Sequence, residues 1–354
     1  MTSVLRYALI GDGESPHLLK WARALAALPE IELWVASSRA FLPGFDAIVP
    51  ADRRLALGTR PDAAGGNLAL LKQLPRLAGW LHRVHPDWLH AHYLTSHGTL
   101  AWLAQRLYGV RGRLVGSAWG SDILVTPQRS TALRALTRRV LRACVLTTSD
   151  SQVMAEKMRA LGAFDIMVFP FGLETMPPLP PAKDDSLFFA NRGLEPVYAP
   201  ERVLQAFAAL PGEALRLVVA NDGSLRAELQ AMADARTRFV GRLDADTQAG
   251  WYARARWYLS LPTSDSVSVS VLEAMAHGCI PIVSDLPANR ELVRDGDNGI
   301  VLGAGEPLTS ERLAPLAARA DAVAATNRAW VEREALFAPR VRAFVDRLQE
   351  IGSR

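Results

Sequence analysis

Short apolar runs alternate with amphipathic stretches along nearly the whole chain, the pattern of strands and helices taken in turn. Residues 4–10 read as a first strand, ended by the Gly11-Asp-Gly-Glu-Ser-Pro16 turn. A helix over 17–28 follows, with Leu18, Trp21, Ala22, Leu25 and Leu28 on one side, and residues 31–36 form a second strand. Residues 43–67 are rich in Gly and Pro (Pro43, Gly44, Pro50, Gly58, Pro61, Gly65, Gly66) and read as loop. Residues 68–84 are helical in pattern, with Pro75 kinking or restarting the helix. Strands are expected at 86–93, 114–118 and 145–148, and helices at 129–144 and 149–161. Residues 175–182, Thr-Met-Pro-Pro-Leu-Pro-Pro-Ala, form a stiff linker and the clearest boundary in the chain. Beyond it the alternation resumes, with strands at 186–190, 215–220, 239–243, 257–261 and 280–284. Helices are expected up to 210, at 225–232, from 269, at 311–325 and at 327–348. This is the beginning of a doubly wound sheet, a fold that admits ligands at the loop after its first strand.

The most informative stretch runs from Leu259 to Gly278, LSLPTSDSVSVSVLEAMAHG. A buried strand is stopped by Pro262, a small polar turn follows, and from Val269 the apolar residues Val271, Leu272, Met275 and Ala276 fall at helical spacing. A strand, a tight turn and a helix in that order leave free backbone N–H groups at the turn, and the helix dipole adds positive potential, so the turn suits a phosphate. The turn amides over Ser266, Val267, Ser268, Val269 and Ser270 and the three serine hydroxyls would form the cradle. Glu273, one turn into the helix, can accept hydrogen bonds from ribose hydroxyls, and Asp265, eight positions earlier, can face a second polyhydroxyl group. Two carboxylates flanking an anion cradle fit a nucleotide-sugar. The plainer reading is an ordinary strand–turn–helix with a capping Ser or Asp.

The 354 residues suffice for two domains, and 49% hydrophobic with 21% charged residues is an ordinary globular composition. The net charge of +4 is modest and the arginines are spread out, so nucleic-acid binding has little support. Cys144 and Cys279 stand far apart in apolar runs, which suits a reducing cytosol rather than a disulfide framework. No apolar run approaches the roughly 20 residues of a spanning helix, and the first residues do not read as a signal peptide, so the expected location is the cytoplasm. The helix at 129–144 sets Leu133, Leu136, Val140 and Cys144 inward against Arg134, Arg138, Arg139 and Arg142. A solvated face is the plainer account of those arginines; peripheral docking on the inner face of a membrane carrying a lipid-linked acceptor is the alternative. His90 and His92 point to one side of a strand, but no third ligand stands at useful spacing for a metal. The Gly11-x-Gly13 turn lacks a third glycine and an acidic residue after the second strand, so it is no dinucleotide fingerprint.

Glu273-Ala-Met-Ala-His-Gly278, the strand Ile280-Pro-Ile-Val-Ser284, Asn289-Arg-Glu-Leu-Val293 and Asp295-Gly-Asp-Asn-Gly299 resemble the donor signature of the GT-B glycosyltransferases, in particular the retaining group known as family four. Asp265 stands where the family has a first Glu. Ser15-Pro16-His17 with Trp21, His90-x-His92, Trp119-Gly-Ser-Asp122 and Phe171-Gly-Leu173 are similar to motifs of its first domain, with Trp119 in place of a frequent His. The resemblance implies two Rossmann-like doubly wound parallel-sheet domains facing a cleft. The acceptor-side domain would span residues 1–173, residues 174–183 would link it to the donor domain at 184–337, and a last helix, 338–354, would pack back on the first.

It implies that Arg192 neutralises the donor diphosphate, with Tyr198 near the position of the family's Lys, and that Gly241 lies against the nucleotide base. Asp265, Arg192, His92 and Asp122 become the candidate catalytic residues, and Gly13, His17 and Trp119 the acceptor-side ones. A helix-start His such as His17 is more often a structural partner than a catalyst, and Asp122 is equally a helix cap. The implied chemistry is retaining transfer of a sugar from a UDP- or GDP-sugar to an acceptor hydroxyl, with no further cofactor and no divalent metal. The acceptor is unknown, and Asp244-Ala-Asp246 reads as a cap. A sugar-nucleotide epimerase on the same plan, or a non-catalytic nucleotide-sugar-binding protein, is the alternative.

Overall fold

The computed structural model describes residues 4–59, 68–180 and 182–353; Pro61, Gly65, Gly66 and Pro181 lie outside them. The chain forms two compact units, Met1–Phe169 together with Phe337–Arg354, and Pro170–Leu336.

In the first unit seven strands form one sheet: β1 (Leu5–Gly11), β2 (Ile31–Ser37), β3 (Arg54–Ala56), β4 (Trp88–His92), β5 (Arg113–Ser117), β6 (Leu146–Ser149) and β7 (Ile166–Val168). Their order is β3-β2-β1-β4-β5-β6-β7 and every pairing is parallel, with Leu9 of β1 opposite Val35 and His90. All five residues of β4 are buried, as a strand covered on both faces must be. Ala8, Ile10, Leu89, Ala91 and Leu114 join one core cluster with the helices Leu74–Val84 and Thr99–Tyr108. On the other face Trp21 is fully buried against Phe337 (5.1 Å between ring centroids) and Phe344 (5.4 Å) of the last helix, Phe337–Gly352. The ion pair Arg347–Asp165 (2.7 Å) ties that helix to the residue before β7.

The second unit has six strands: β8 (Asp184–Ala190), β9 (Arg216–Ala220), β10 (Thr237–Gly241), β11 (Ala255–Ser260), β12 (Ile280–Ser284) and β13 (Ile300–Leu302). Their order is β10-β9-β8-β11-β12-β13, again all parallel. Adjacent residues feed opposite faces. Phe188, Leu217, Trp257, Leu259 and Ile282 enter one cluster, while Phe189, Val218, Tyr258 and Val283 enter the other. In each sheet the order reverses where the first strand meets its later neighbour, at β1/β4 and at β8/β11, and the carboxyl ends there form the crevice that doubly wound folds use for ligands.

Several expected bounds shift. The loop-rich stretch contains the edge strand β3, too short to show a period. Pro75 lies in the first turn of a new helix, Leu74–Val84, after a separate turn at Leu68–Leu71. The basic helix spans Thr131–Ala143, capped by Ser130, and buries Thr137, Val140 and Leu141, while Leu133 and Leu136 are only half-buried. The expected pair of C-terminal helices is three, Ser310–Ala317, Ala320–Glu334 and Phe337–Gly352, because the chain breaks where it returns to the first unit. The linker is not free of the units either. The passage falls between Phe169 and Pro170, ahead of the Pro-rich stretch, and Arg328 donates to the carbonyls of Pro177 and Pro178 within the second unit.

Beside the passage Leu173 N–H donates to the carbonyl of Ala335 (2.9 Å). A Cβ added at Gly172 would lie 1.9 Å from that carbonyl oxygen. Gly172→Ala is therefore expected to lower stability by about 1–3 kcal/mol, read as a reduced urea midpoint. Gly250→Ala, where nothing lies within 4 Å of the added carbon, should hold or raise it. Equal midpoints for the two variants would contradict this packing.

Candidate active site

In the second unit the switch point gathers the expected donor residues. Arg192 follows β8, and its guanidinium reaches across to the turn after β11. There Nη2 donates to Asp265 Oδ2 (2.7 Å) and Nη1 to Ser268 Oγ (2.6 Å) and Ser270 Oγ (3.4 Å). Ser268 occupies the N-cap position of the helix Val269–Ala276, yet its side chain makes no cap bond. Its hydroxyl is turned to Arg192 instead, and the first-turn amides of the helix lack a side-chain acceptor there. Burial lifts the Asp265 carboxyl above its ordinary value, while Arg192 pulls it back. Ser266 N–H donates to Asp265 Oδ1 (3.0 Å). Val267 points into the core, so it and the half-buried Val269 can offer a ligand only backbone groups.

Tyr198 sits in the short turn Pro196–Tyr198 with its ring 4.3 Å below the Arg192 guanidinium, a cation–π contact that fixes the arginine from the other side. Glu273 accepts from the hydroxyl of Tyr252 (3.1 Å). Asn191 binds that hydroxyl (2.8 Å) and accepts from Tyr258 (2.7 Å). Sequence reading missed this Asn191–Tyr252–Tyr258 network. Its signal was a tyrosine inside a strand buried on both faces, since a buried phenol needs a polar partner. Gly241 ends β10 on the same carboxyl edge, two strands from β8, with φ +72°. That backbone conformation, rather than close approach alone, calls for glycine. Asp244 caps the helix Ala245–Arg254 through Thr247 N–H (2.7 Å), as the sequence suggested.

In the first unit the carboxyl ends of β1, β4 and β5 bring together an aromatic group. Trp119 lies 4.8 Å from His17, 5.5 Å from His92 and 5.9 Å from Tyr93, centroid to centroid. Tyr93, absent from the expected set, has φ +59°, a strained position for a bulky residue and one that clusters at functional sites. Two of the expected residues also have structural contacts of their own. Asp122 is buried and both of its oxygens are occupied, by Leu94 N–H (2.8 Å) and Trp119 N–H (2.9 Å), so it ties two loops together. Gly13 is walled in, since a Cβ there would meet Ala40 O at 2.4 Å and Ser37 Oγ at 2.8 Å. His90 uses both ring nitrogens, with Tyr7 OH and Ser117 Oγ (2.7 Å each), so it is a core histidine. Among the described residues no group of His, Cys, Asp and Glu is placed to hold a metal, and no helix is long and apolar enough to cross a membrane.

Burial also sets the charge of this histidine group. It lowers His90 from 6.5 to about 3 and His97 to about 4, and lowers His92 well below 6.5, where His90, His97 and His17 add to the effect. Unfolding at acid pH would let all three take up protons, so their contribution is complete above pH 6.5 and is lost as pH falls toward about 3. Asp122, lifted by burial from 3.8 to about 6, acts in the opposite sense over that lower range. Three groups against one predict a urea midpoint that drops between about pH 7 and about pH 4 and a shallower drop in His90→Gln. A flat midpoint over that range would refute the neutral, buried assignment.

Residues 185–319 match the family model described as glycosyl transferases group 1, and residues 6–151 match that of the glycosyl transferase 4-like family. No curated protein matches the chain. Among solved structures it is similar to sucrose-phosphate synthase from Thermosynechococcus elongatus (TM-score 0.78, 15% identity, 98% of this chain and 100% of that one). It is similar to HepE (Alr3699) of Anabaena in complex with UDP-glucose (TM-score 0.75, 15% identity, 98% and 100%). The lipopolysaccharide outer core galactosyltransferase WaaB is a third (TM-score 0.69, 16% identity, 96% and 98%). At these identities the likeness is one of fold. The two family models match both halves of the chain and its paired parallel sheets are those of these structures: the chain belongs to the group 1 glycosyl transferases and has the GT-B fold.

Proposed function

We propose that this glycosyltransferase takes its sugar from a nucleotide-sugar bound at the carboxyl edge of the second sheet and transfers it with retention to an acceptor hydroxyl. The observation that carries the reading is the placement of the Arg192 guanidinium over the turn Asp265–Ser270, at the β8/β11 switch point and beside a helix start whose side-chain cap is diverted. A diphosphate arriving there would displace Asp265 from Arg192 and accept from the serine hydroxyls and turn amides. The bond between the anomeric carbon and the diphosphate then breaks as the acceptor oxygen bonds to that carbon, and the hydroxyl proton passes to the departing diphosphate oxygen. Arg192 and the turn donors stabilise the charge growing on the departing oxygen. Asp265, displaced, turns toward the donor sugar. Glu273, oriented by Tyr252, receives the ribose hydroxyls.

The base would lie near Gly241. The similarity to a structure holding UDP-glucose favours a UDP-sugar over a GDP-sugar. Retention is supported by the resemblance of residues 273–299 to the retaining signature. The cation in this scheme is Arg192, so no divalent metal enters it. His17, His92 and Trp119 would serve the acceptor side, in the cytoplasm.

A thermal-unfolding panel of UDP-, GDP- and ADP-sugars tests the donor site. The right donor at about 100 times its dissociation constant should add about 2.7 kcal/mol, and Arg192→Ala should abolish the gain. Tyr252→Phe should weaken binding by about 1 kcal/mol through the loss of the Glu273 anchor. Absence of any gain with every nucleotide-sugar would overturn the proposal. The anomeric configuration of the product, read by NMR, tests retention.

A further inference from the structure

The first unit carries a second recess that the donor chemistry does not use. It is a groove of about 530 Å³ between the start of the helix Thr131–Ala143 and the helix Gln152–Ala160, and both are elements of the first unit. Its polar lining includes Arg134, Lys157, Ser130 and Thr131; Ala160 contributes exposed apolar surface, and the largely buried Ile123 and Leu161 form its floor. Among the described residues no carboxylate lines it. Arg134 and Lys157 are both exposed, and among the described residues neither side chain has a hydrogen-bond or ion-pair partner. The Ser130 hydroxyl already accepts from Leu133 N–H, so the two cations rather than the helix amides supply the charge.

We propose that this groove binds a phosphate ester carried on an apolar chain, the chemistry of a phospholipid headgroup with the first carbons of its tail. Arg134 grips the phosphate oxygens bidentately, Lys157 supplies a second positive charge, and Ile123 and Leu161 line the path of the chain. A solvated basic face would need charge alone. Here the two cations share one concave site with apolar surface, the mixture that ligand sites show. The proposal does not rest on the donor-site reading, since every residue in it belongs to the other unit.

Titration calorimetry of the whole chain with dihexanoyl phosphatidic acid, with inorganic phosphate, and with vesicles of phosphatidylcholine containing phosphatidic acid tests it. The double variant Arg134→Gln, Lys157→Gln should bind the short-chain lipid and the vesicles about tenfold or more weakly. The control Arg106→Gln, Arg139→Gln removes two exposed arginines that do not line the groove and should bind like the wild type. Equal loss in both variants would show diffuse charge and overturn the groove. Inorganic phosphate binding as tightly as the lipid would overturn the apolar-chain assignment, and no binding of any of the three would overturn the site. Nucleotide-sugar thermal shifts in the same variants keep the two proposals separate, because the groove variants leave the donor residues intact.

Discussion

Both sheets are parallel throughout, so their central strands are buried on both faces and must be covered twice by helices. That constraint arranges the molecule. Phe188 and Phe189, or Trp257 and Tyr258, are neighbours in sequence and belong to different cores. With both faces closed, the strand ends are where irregular backbone and polar side chains can meet solvent. The order reversals at β1/β4 and β8/β11 open a crevice at those ends, and the candidate residues fall there. Arg192 and Asp265 come from the loops after β8 and β11. His92 and Trp119 come from the ends of β4 and β5.

Within the second unit the decisive interaction is the pair Arg192–Asp265. Neither partner is left uncompensated: Tyr198 covers one face of the guanidinium, and Ser266 N–H supports the carboxylate. Asp265 is one methylene shorter than the Glu its position resembles, and it still reaches the guanidinium at 2.7 Å. An incoming diphosphate would exchange one anion for another, so the half-buried cation keeps a counter-charge throughout. The first unit handles buried polarity differently. It keeps the buried His90, His92 and His97 neutral and joins His90 to Tyr7 and Ser117.

The fold and the donor turn were legible because both rest on local patterns. Strand and helix alternate visibly, and Pro262, the serine run and Glu273 mark a strand–turn–helix in one stretch of sequence. What escaped depends on contacts between distant residues. Nothing near Asp122 tells that Leu94 N–H, from another loop, occupies its second oxygen. Nor does the sequence around Gly13 tell that Ala40 O and Ser37 Oγ leave no room for a side chain there. Nothing near Tyr252 or Tyr258 tells that Asn191, over 60 positions away in sequence, bonds to both. The break at Ala335 was equally hidden, because it marks a change of unit and not a change of pattern.

The last helix, Phe337–Gly352, belongs to the first unit although the whole second unit lies before it in the chain. On the ribosome the first sheet therefore emerges long before the Phe337 and Phe344 side chains that cover Trp21. The second unit is contiguous and can close as soon as its own strands are made, whereas the first waits, with an apolar face uncovered, until the helix Phe337–Gly352 has been made. The order of completion is thus the reverse of the order of synthesis. The interval is one in which Trp21 and its neighbours are open to chaperones and to association with other nascent chains.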